Sequence, residues 1–444
     1  MEQISAEQNH YLNDFSKLII AEAAPPAAEI SVKHTLLKRL EAICKEVSPD
    51  AQLIPFGSLV TGFATASSDL DVIFTVGPHF DQSPDDLSSP DFRIPHILES
   101  KLQEEGFDAT LLTKTRVPIL KLVQNATDEN PFDLHCDIGF SNHLAVFNTN
   151  MLLTYSKCDP RVKKMMISVK SRSKIKWWAK KRHINNTYRG TLSSYGYSLI
   201  VLHYLINIVK PAVLPNLQVF PVPEDTPTTE IVFEEAGDDI FDIWFYKDIN
   251  ALSKSSNTMH VGELLRGFFE YYAYTFQWGR EVVSIRTEGG LLTKQEKGWV
   301  TAVVRPGKTE NSEVKNRYLF AVEDPFEIEH NVSRTCNGPG VGRIKEEFRR
   351  AVRLIRYRDG GKTMSECLCM EAPPERPWVR REDRDKAGGG DGRSGERSGH
   401  GEGEKRGEDT GEGSHEETRG YVGMGEFQGE MLKHEGLSVD LGVV

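Results

Sequence analysis

Apolar residues recur at helical spacing over 34–47 and at strand spacing in several of the segments that follow. A helix repeats its apolar face every three or four residues, whereas a strand alternates every two. The pattern predicts helices over 34–47 and 94–105, and strands over 51–56, 70–76, 109–113, 117–123 and 132–140. Strands and helices mixed in this way are typical of a small α/β or α+β domain over residues 34–145.

Beyond residue 145 the pattern is mainly helical. It predicts helices over 145–157, 161–182, 192–210, 261–277 and 343–358, with a short strand over 318–322. Residues 211–257 are rich in proline and then acidic, which predicts a variable loop with little fixed structure. From residue 371 onward Gly, Glu and Arg dominate, and 17 of the 37 glycines lie there. Such a tail cannot bury enough apolar surface to fold, so we predict that it is disordered.

Charge and composition narrow the class of protein. Of the formal net charge of −11, −7 lies in residues 371–444 and −4 in the rest, so any affinity for nucleic acid must come from local basic patches. The six cysteines include no C-x-x-C pair, which argues against a zinc site or a disulfide framework. Residues 1–20 do not resemble a signal peptide, and the longest apolar stretch, 197–209, is too short to span a bilayer. We therefore expect a soluble protein of the cytoplasm, with the nucleus as an alternative and no membrane partner.

Three aspartates predict a metal-dependent phosphoryl-transfer site. Asp69 and Asp71 are two apart in a strand-like run, so their side chains leave the same face. Asp137 lies in a second apolar strand, where a carboxylate without a function is rare because burying charge is costly. Two adjacent carboxylates repel each other unless a cation neutralises them, and Mg²⁺ is commonly bound by one or two carboxylates plus substrate phosphates. We expect two ions, Mg²⁺ or Mn²⁺, with Asp137 helping to deprotonate the nucleophile.

A phosphate-binding turn precedes the aspartates, and a basic segment follows them. Gly57 lets the backbone approach a phosphate, to which Ser58 can donate. Each of these signals is weak alone, since Gly-Ser is most often only a turn and Asp-x-Asp often arises by chance. Their order and spacing make chance a poor explanation. Residues 161–182 form a basic run, and such a run is usually only the solvated face of a helix. Within it Lys176 and Lys180 lie one helical turn apart and can face one triphosphate.

The chain resembles the terminal nucleotidyltransferases of the DNA polymerase β superfamily, and in particular the cytoplasmic poly(U) polymerases of the caffeine-induced-death-suppressor type. The resemblance covers most of residues 50–350, in order, and is carried by FGSLVTGFATASSDLDVIF, RVPILKL, CDIGFSN, DPRVK, WWAKKRHIN, GTLSSYGYSLIVLHYLI, LLRGFFEYYAYTF, LTKQEKGW and EDPFEIEHNVSRT. It implies an α+β fold with a polymerase-β-like catalytic palm at 34–145 and a mainly helical poly(A)-polymerase-associated domain at 146–370. We expect an N-terminal helical segment, 1–33, packed on the central domain, and a disordered tail at 371–444.

The same resemblance implies roles for individual residues. It places the metal ligands at Asp69, Asp71 and Asp137, and the phosphate-binding turn at Gly57 and Ser58. It implies nucleotide binding by Asn148, Thr149, Lys176, Lys180, Ser194, Tyr195, Asp324, Glu327 and His330, and RNA binding by Arg116 and Lys121. The stretch 165–176 is about six residues longer than the family pattern, or roughly 1.7 helical turns, which leaves open whether Lys170 or Lys176 takes the phosphate position.

The implied activity is template-independent addition of uridylate from UTP to RNA 3′ ends, linked to mRNA decay, by a monomeric enzyme. Uracil offers an acceptor at O4 and a donor at N3, the reverse of adenine, so a histidine donor such as His330 with a nearby carboxylate favours uracil. Tyr195 can stack on the base and Asn148 can bind the ribose 2′-hydroxyl. Taken alone, His330 would be an ordinary surface histidine. The alternatives are an ATP- or CTP-preferring enzyme and, in another class, an inactive RNA-binding scaffold.

Overall fold

Every second residue of the strand Leu70–Val76 faces one core, so that Leu70, Val72 and Phe74 are buried together while Asp71 is only half-buried. This alternation is the physical basis of the strand prediction, because successive side chains point to opposite faces of a sheet. In the computed structural model the strand lies second in a five-stranded sheet. The core is completed by two helices that pack on the same sheet face with Leu36, Leu40, Leu98 and Leu102.

The structure describes residues 6–76, 90–113, 118–128, 130–140, 142–170, 178–235, 239–287, 291–300, 303–304, 314–315, 317–357, 367–368 and 370–373. Residues Met1–Ala372 belong to one compact unit. The tail predicted to be disordered lies outside the described residues from 374 onward. Within the described ranges, no helix combines the length and the apolar character needed to cross a bilayer.

The strands of the sheet are β1 (Ala51–Phe56), β2 (Leu70–Val76), β3 (Asp108–Leu112), β4 (Ile119–Gln124) and β5 (Leu134–Gly139). Their order is β1-β2-β5-β4-β3, in which β2 and β5 run parallel and all other neighbours are antiparallel. Two short antiparallel strand pairs are described elsewhere: β6 (Val232–Glu235) with β7 (Asp239–Asp242), and β8 (Val303–Val304) with β9 (Val314–Lys315).

The described helices divide between the sheet domain and the region that follows it. They are α1 (Ala6–Ala23), α2 (Ala27–Val47), α3 (Ser58–Thr61), α4 (Pro90–Glu104), α5 (His143–Cys158), α6 (Pro160–Lys170), α7 (Trp178–Lys181), α8 (Ser194–His203), α9 (Val261–Glu270) and α10 (Gly338–Arg356). π-helical turns extend α8 and α9 over Tyr204–Ile208 and Tyr271–Thr275. Short 3-10 helices lie at Thr187–Arg189, Thr228–Glu230 and Ile249–Ala251.

An aromatic cluster forms the centre of the helical region. The ring of Trp178 lies 5.0 Å from that of Phe269 and 4.9 Å from that of Phe348, both edge-on, a geometry that aromatic pairs favour. These contacts join the one-turn helix α7 to α9 and α10. A helix of four residues has little stability of its own, so tertiary packing of Trp178 holds α7 in place.

The N-terminal helices bridge the predicted domains. α1 packs against α6 and α9 of the helical region, whereas α2 packs against β1 and α4 of the sheet domain. Helix α2 also runs through the boundary expected at residues 33 and 34. The domain boundaries therefore stay a prediction, with the segment 1–33 divided between two helices.

Two sequence expectations about irregular regions are wrong. The described residues of the range 211–257 are not a loop with little fixed structure: Leu217, Ile243 and Phe245 are buried in the core, and Leu217 N–H donates to Tyr155 Oη at 3.1 Å. The sequence did not reveal these buried apolar residues, because they lie in a proline-rich segment and follow no regular period. The strand expected over 318–322 is only a single bridge from Val322 to Val283.

Two helix predictions also change. The described parts of the helix expected over 161–182 are two helices, α6 and α7, and residues 171–177 between them lie outside the described residues. The helix expected from residue 343 begins instead at Gly338, because Asn337 Oδ1 caps it by accepting the Gly340 N–H at 2.8 Å. Pro339 fits this first turn, since proline is favoured at the start of a helix.

Candidate active site

Two of the three predicted catalytic carboxylates are direct neighbours in the sheet. Asp71 on β2 pairs in parallel register with Asp137 on β5, so both side chains leave the same sheet face. Asp69 lies immediately before β2 begins at Leu70. Asp69 and Asp137 line a cleft of about 440 Å³ together with Lys121 and Lys180. The fold thus brings three aspartates and two lysines together, although as many as about a hundred residues separate them in the sequence.

The turn at Gly57 and Ser58 abuts this group of acids. Gly57 has φ of 75°, and a Cβ placed on it would lie 2.6 Å from Asp71 Oδ2. A glycine is required on both counts, because L side chains rarely adopt positive φ and no room exists for one here. Ser58 is half-buried and opens the short helix α3. The predicted phosphate-binding turn therefore lies directly against a predicted metal ligand.

Thr149 supports the turn from helix α5. Its Oγ1 accepts a hydrogen bond from the Gly57 N–H at 2.9 Å and donates one to the Ala145 carbonyl at 2.7 Å. The side chain is buried. This contact gives Thr149 a positioning role through Gly57, while the direct contact with a nucleotide implied by the resemblance stays a prediction.

Tyr195 links two of the predicted nucleotide-binding residues. Its hydroxyl lies 2.7 Å from Asn148 Oδ1 and 3.0 Å from Asp324 Oδ2, so it donates to one of these acceptors at a time. Burial, reinforced by the nearby Asp324 carboxylate, raises the pKa of Tyr195 well above its usual range. The hydroxyl therefore stays protonated at neutral pH. Burial also raises the pKa of Asp324, although hydrogen bonds from backbone N–H groups oppose that effect.

The predicted base-recognition loop is a tight turn closed by its own backbone. Asp324 Oδ1 accepts from the N–H groups of Phe326 and Glu327, both at 3.0 Å. The Asp324 N–H donates to the His330 carbonyl at 3.1 Å, and the His330 N–H donates to the Glu327 carbonyl at 2.8 Å. The His330 side chain is 16% exposed, with Nδ1 3.8 Å from Glu327 Oε2. The loop thus holds Asp324, Glu327 and His330 together next to Tyr195.

Lys180 is positioned by the contacts of its helix. Arg182, just beyond α7, makes two hydrogen bonds of 2.8 Å to the Glu347 carboxylate on α10 and one of 2.7 Å to the Met370 carbonyl. This buried bidentate pair fixes the end of α7.

Ser194, the first residue of α8, donates from Oγ to Asn185 Oδ1 at 3.1 Å. The other predicted lysine, Lys176, and the predicted RNA contact Arg116 lie outside the described residues.

Lys121, predicted to bind RNA, contacts a predicted metal ligand in the structure. It is the cross-strand partner of Asp137 in the β4–β5 pair. Its Nζ lies 3.2 Å and 3.0 Å from the two carboxylate oxygens of Asp137. The side chain is 45% exposed and lines the cleft, so the role in RNA binding stays a prediction alongside this contact.

Sequence reasoning missed a buried ion pair beside the acids. Glu29 Oε1 accepts from Lys33 Nζ at 2.6 Å and from the Ser67 N–H at 2.8 Å, and Glu29 and Ser67 line the same cleft as Asp69. The spacing of Glu29 and Lys33, four residues apart in a helix, was visible in the sequence. Such pairs are common on solvated surfaces, so the spacing alone gave no reason to expect burial.

The donor set of the site fits a hard divalent cation. The carboxylate oxygens of Asp69, Asp71 and Asp137 are the ligand type that Mg²⁺ and Mn²⁺ prefer. Within the described ranges, however, no three His, Cys, Asp or Glu side chains stand in a ready metal-binding arrangement. Both oxygens of Asp137 are contacted by Lys121.

Two family models match the chain. Residues 12–157 match the central palm domain of the mitochondrial-like poly(A) RNA polymerases, and residues 260–330 match the Cid1 family poly A polymerase model. The matched regions contain the five-stranded sheet with its three aspartates and the loop with Asp324 and His330. The α+β fold, with a nucleotidyltransferase palm followed by a poly(A)-polymerase-associated domain, is confirmed.

The chain is similar to curated and structurally solved relatives over most of its length. It is 40% identical over 330 residues to terminal uridylyltransferase cid1 of Schizosaccharomyces pombe, covering 74% of this chain and 75% of the relative. Poly(A) RNA polymerases of the same yeast also match. A solved structure of Cid1, an RNA terminal uridylyl transferase, superposes with a TM-score of 0.69 at 38% identity, covering 83% of this chain and all of that one.

Another Cid1 structure, which contains the UTP analogue UMPNPP, matches with a TM-score of 0.65 at 36% identity and covers 81% of this chain and 98% of that one. The fold, the order of the motifs and the identity shared with these relatives are therefore consistent with the arrangement of the three aspartates, the Gly57 turn and the predicted base-recognition loop. The chain belongs to the Cid1 family of nucleotidyltransferases.

Proposed function

We propose that the chain transfers uridylate from UTP to the 3′ end of RNA without a template. The observation that carries this proposal is the pairing of Asp71 with Asp137 in the sheet, together with the cleft that Asp137, Asp69 and Lys180 line. The similarity to the uridylyltransferase Cid1 supports the nucleotide and RNA as substrates. The rival function, an inactive RNA scaffold, does not account for two aspartates paired in the sheet with the Gly57 turn held against one of them.

The reaction joins the RNA 3′ oxygen to the α-phosphorus of UTP as the bond to pyrophosphate breaks. Asp137, one of the aspartates that line the cleft, helps the 3′-hydroxyl proton to leave toward solvent. Gly57 and Ser58 cradle the phosphates, while Lys180 offers an ammonium to the negative charge that builds up on the leaving pyrophosphate. The chain supplies positioning and electrostatic stabilisation, the main needs of phosphoryl transfer.

Divalent cations complete the proposed site. Asp69, Asp71 and Asp137 would hold two ions, Mg²⁺ or Mn²⁺, and the ions would stabilise charge on the attacking and leaving oxygens. For Asp137 to be a ligand, it must exchange its contact with Lys121. The carboxylate chemistry supports this assignment, and the count of ions is part of the proposal.

Base choice is proposed to reside in the loop that carries Asp324, Glu327 and His330. A histidine N–H can donate to uracil O4, whereas adenine presents a donor at the equivalent position. The loop is held to Tyr195 through Asp324, so the ring on which the base would stack and the group that would read its edge are coupled. We further propose that the enzyme acts as a monomer in the cytoplasm and that its products enter mRNA decay.

Primer extension tests the proposed activity. The purified full chain would be incubated with a 5′-labelled oligo(A) RNA, Mg²⁺ and each ribonucleoside triphosphate separately, beside an Asp69→Ala/Asp71→Ala variant. We expect extension mainly with UTP that is lost in the variant. Extension mainly with ATP or CTP would retain the enzyme class and reject the account of base choice.

Failure to extend with any nucleotide would favour the scaffold. In that case oligo(A) binding, measured by fluorescence anisotropy on the same sample, would distinguish an RNA-binding protein from an inactive preparation. Equal binding by the wild type and the Asp69→Ala/Asp71→Ala variant, with no extension by either, would overturn the proposed function.

A further inference from the structure

The contact between Lys121 and Asp137 places a positive charge where the proposed mechanism needs a ligand. Nζ of Lys121 is within hydrogen-bond distance of both Asp137 carboxylate oxygens. The pairing follows from the backbone, because the two residues are direct partners in the β4–β5 ladder. The carboxylate is thus neutralised by the protein itself.

We propose that Lys121 is a built-in counter-ion that must leave Asp137 before this carboxylate can serve as a metal ligand, and that the phosphodiester backbone of the RNA primer draws it away. This inference rests on the proposed function. It makes Lys121 a positioning residue that couples primer binding to completion of the metal site.

Electrostatic repulsion disfavours both occupants at once. Two cations on one carboxylate repel each other, and both oxygens of Asp137 already face the ammonium. Lysine carries its charge on a flexible four-carbon stem and forms point-charge contacts that exchange readily. With nearly half of its side chain exposed, Lys121 has solvent-accessible space into which it can swing.

The position of Lys121 favours the primer over the triphosphate as its second partner. Its strand β4 lies next to β5, the strand of Asp137, and both β5 and β2 separate it from β1, which ends at the Gly57 turn. The cleft continues from Lys121 along Val123, Phe132 and His135. An RNA whose 3′-hydroxyl lies at Asp137 would carry its last phosphodiester along this side, whereas Lys180 serves the triphosphate.

A linkage relation follows from this exchange. If RNA removes Lys121 from Asp137, RNA must tighten cation binding, and the cation must tighten RNA binding by the same factor. The competing lysine weakens cation binding in the free protein. Removing the ammonium should therefore strengthen cation binding and abolish the RNA effect.

The test measures Mn²⁺ affinity of the full chain from the free-Mn²⁺ electron paramagnetic resonance signal, with RNA-only titrations subtracted. Wild type and Lys121→Met are titrated alone, with oligo(A), and with a non-hydrolysable UTP analogue. We expect Lys121→Met to bind Mn²⁺ at least about fivefold more tightly than wild type in the absence of RNA. Oligo(A) should tighten binding by a similar factor in wild type and have no effect in the variant.

Two further variants make the result specific. Lys121→Arg keeps the charge and can pair bidentately with Asp137, so it should bind Mn²⁺ no more tightly than wild type in the absence of RNA. In an Asp137→Asn background Lys121→Met should change nothing, as a double-mutant cycle requires. Thermal melts of each variant verify folding. Unchanged or weaker Mn²⁺ binding by Lys121→Met would overturn the proposal, and coupling to the UTP analogue but not to RNA would overturn the assignment to the primer.

This outcome is separable from that of the proposed function. Wild-type protein that binds oligo(A) but extends no primer refutes uridylyl transfer whatever the Mn²⁺ titrations give. Wild-type protein that extends with UTP, combined with indifferent Mn²⁺ binding by Lys121→Met, refutes only the counter-ion role.

Discussion

The carboxylate of Glu29 accepts a hydrogen bond from the backbone N–H of Ser67 at 2.8 Å, two residues before Asp69. Ser67 has φ of 62°, a conformation that is costly for a residue other than glycine and that its surroundings must maintain. The neighbouring Ala66 N–H donates to the Ala23 carbonyl at 3.0 Å. The N-terminal helices, outside the sheet, therefore hold the loop that delivers a predicted metal ligand.

We expect Glu29→Gln to destabilise the protein by about 3 kcal/mol, because it leaves the ammonium of Lys33 buried without its counter-charge. Both side chains of the pair are only 3% exposed. Urea unfolding measures the loss. The matched variant Glu29→Gln/Lys33→Met removes both charges and should recover most of it. A single variant as stable as wild type would show that the pair carries no such penalty.

Gly57→Ala should lower kcat for primer extension about a hundredfold, the order expected when reacting groups shift by about 1 Å. The added methyl group meets Asp71 Oδ2 at 2.6 Å and the backbone needs positive φ. Single-turnover extension with UTP measures the change. Gly342→Ala is the matched control, since nothing lies within 4 Å of the added Cβ, and it should leave activity intact. Normal extension by Gly57→Ala would refute the tight approach of the turn to Asp71.

His330→Ala should shift nucleotide preference from UTP toward ATP by at least about tenfold in the ratio of kcat/KM values, a difference of about 1.4 kcal/mol in transition-state binding. The variant removes the proposed donor to uracil O4 and opens space for a purine. Steady-state extension with each nucleotide measures the ratio. Glu329→Gln changes a neighbouring side chain that is 78% exposed and should leave the ratio as in wild type. An unaltered ratio in His330→Ala would place base choice elsewhere.

Acid should destabilise the helical region through His203. Burial lowers the pKa of this histidine to about 4, although a hydrogen bond with the Ser284 carbonyl opposes the shift. Between its unfolded value of about 6.5 and about 4, the unfolded chain binds a proton that the folded chain refuses. The free energy of unfolding should therefore fall by about 3 kcal/mol from this residue as pH falls through that window.

Urea unfolding at about pH 7 and about pH 4.5, compared between wild type and His203→Gln, isolates this contribution. The variant keeps a donor for the Ser284 carbonyl and lacks the titrating ring, so its stability should depend less steeply on pH. Equal pH dependence in the two proteins would mean that His203 does not titrate as its burial requires.

Regular elements were predictable where a single period governs burial. β2 follows the expected range 70–76, and β1 follows 51–56, because alternate residues of β2 face one core. The predicted start of a helix was wrong where a capping residue, Asn337, sets it. The prediction for residues 211–257 was wrong because buried apolar residues such as Leu217 follow no regular period there. These residues are recognised only by the partners they meet, here Tyr155 from helix α5.

The sequence by itself indicated the chemistry of this protein: two aspartates at strand spacing, a third in a later apolar strand and a Gly-Ser turn before them, with a base-recognition loop far downstream that the family resemblance implied. The shared face of Asp69 and Asp71 was predicted from local spacing, because side chains two residues apart in a strand leave the same side. Only the tertiary structure decided which groups contact or support these aspartates and the turn beside them. Thr149 supports Gly57 across 92 residues, Glu29 supports the loop before Asp69, and Lys121 neutralises Asp137. Such contacts arise from strand register and helix packing between distant segments, and local spacing carries no information about either.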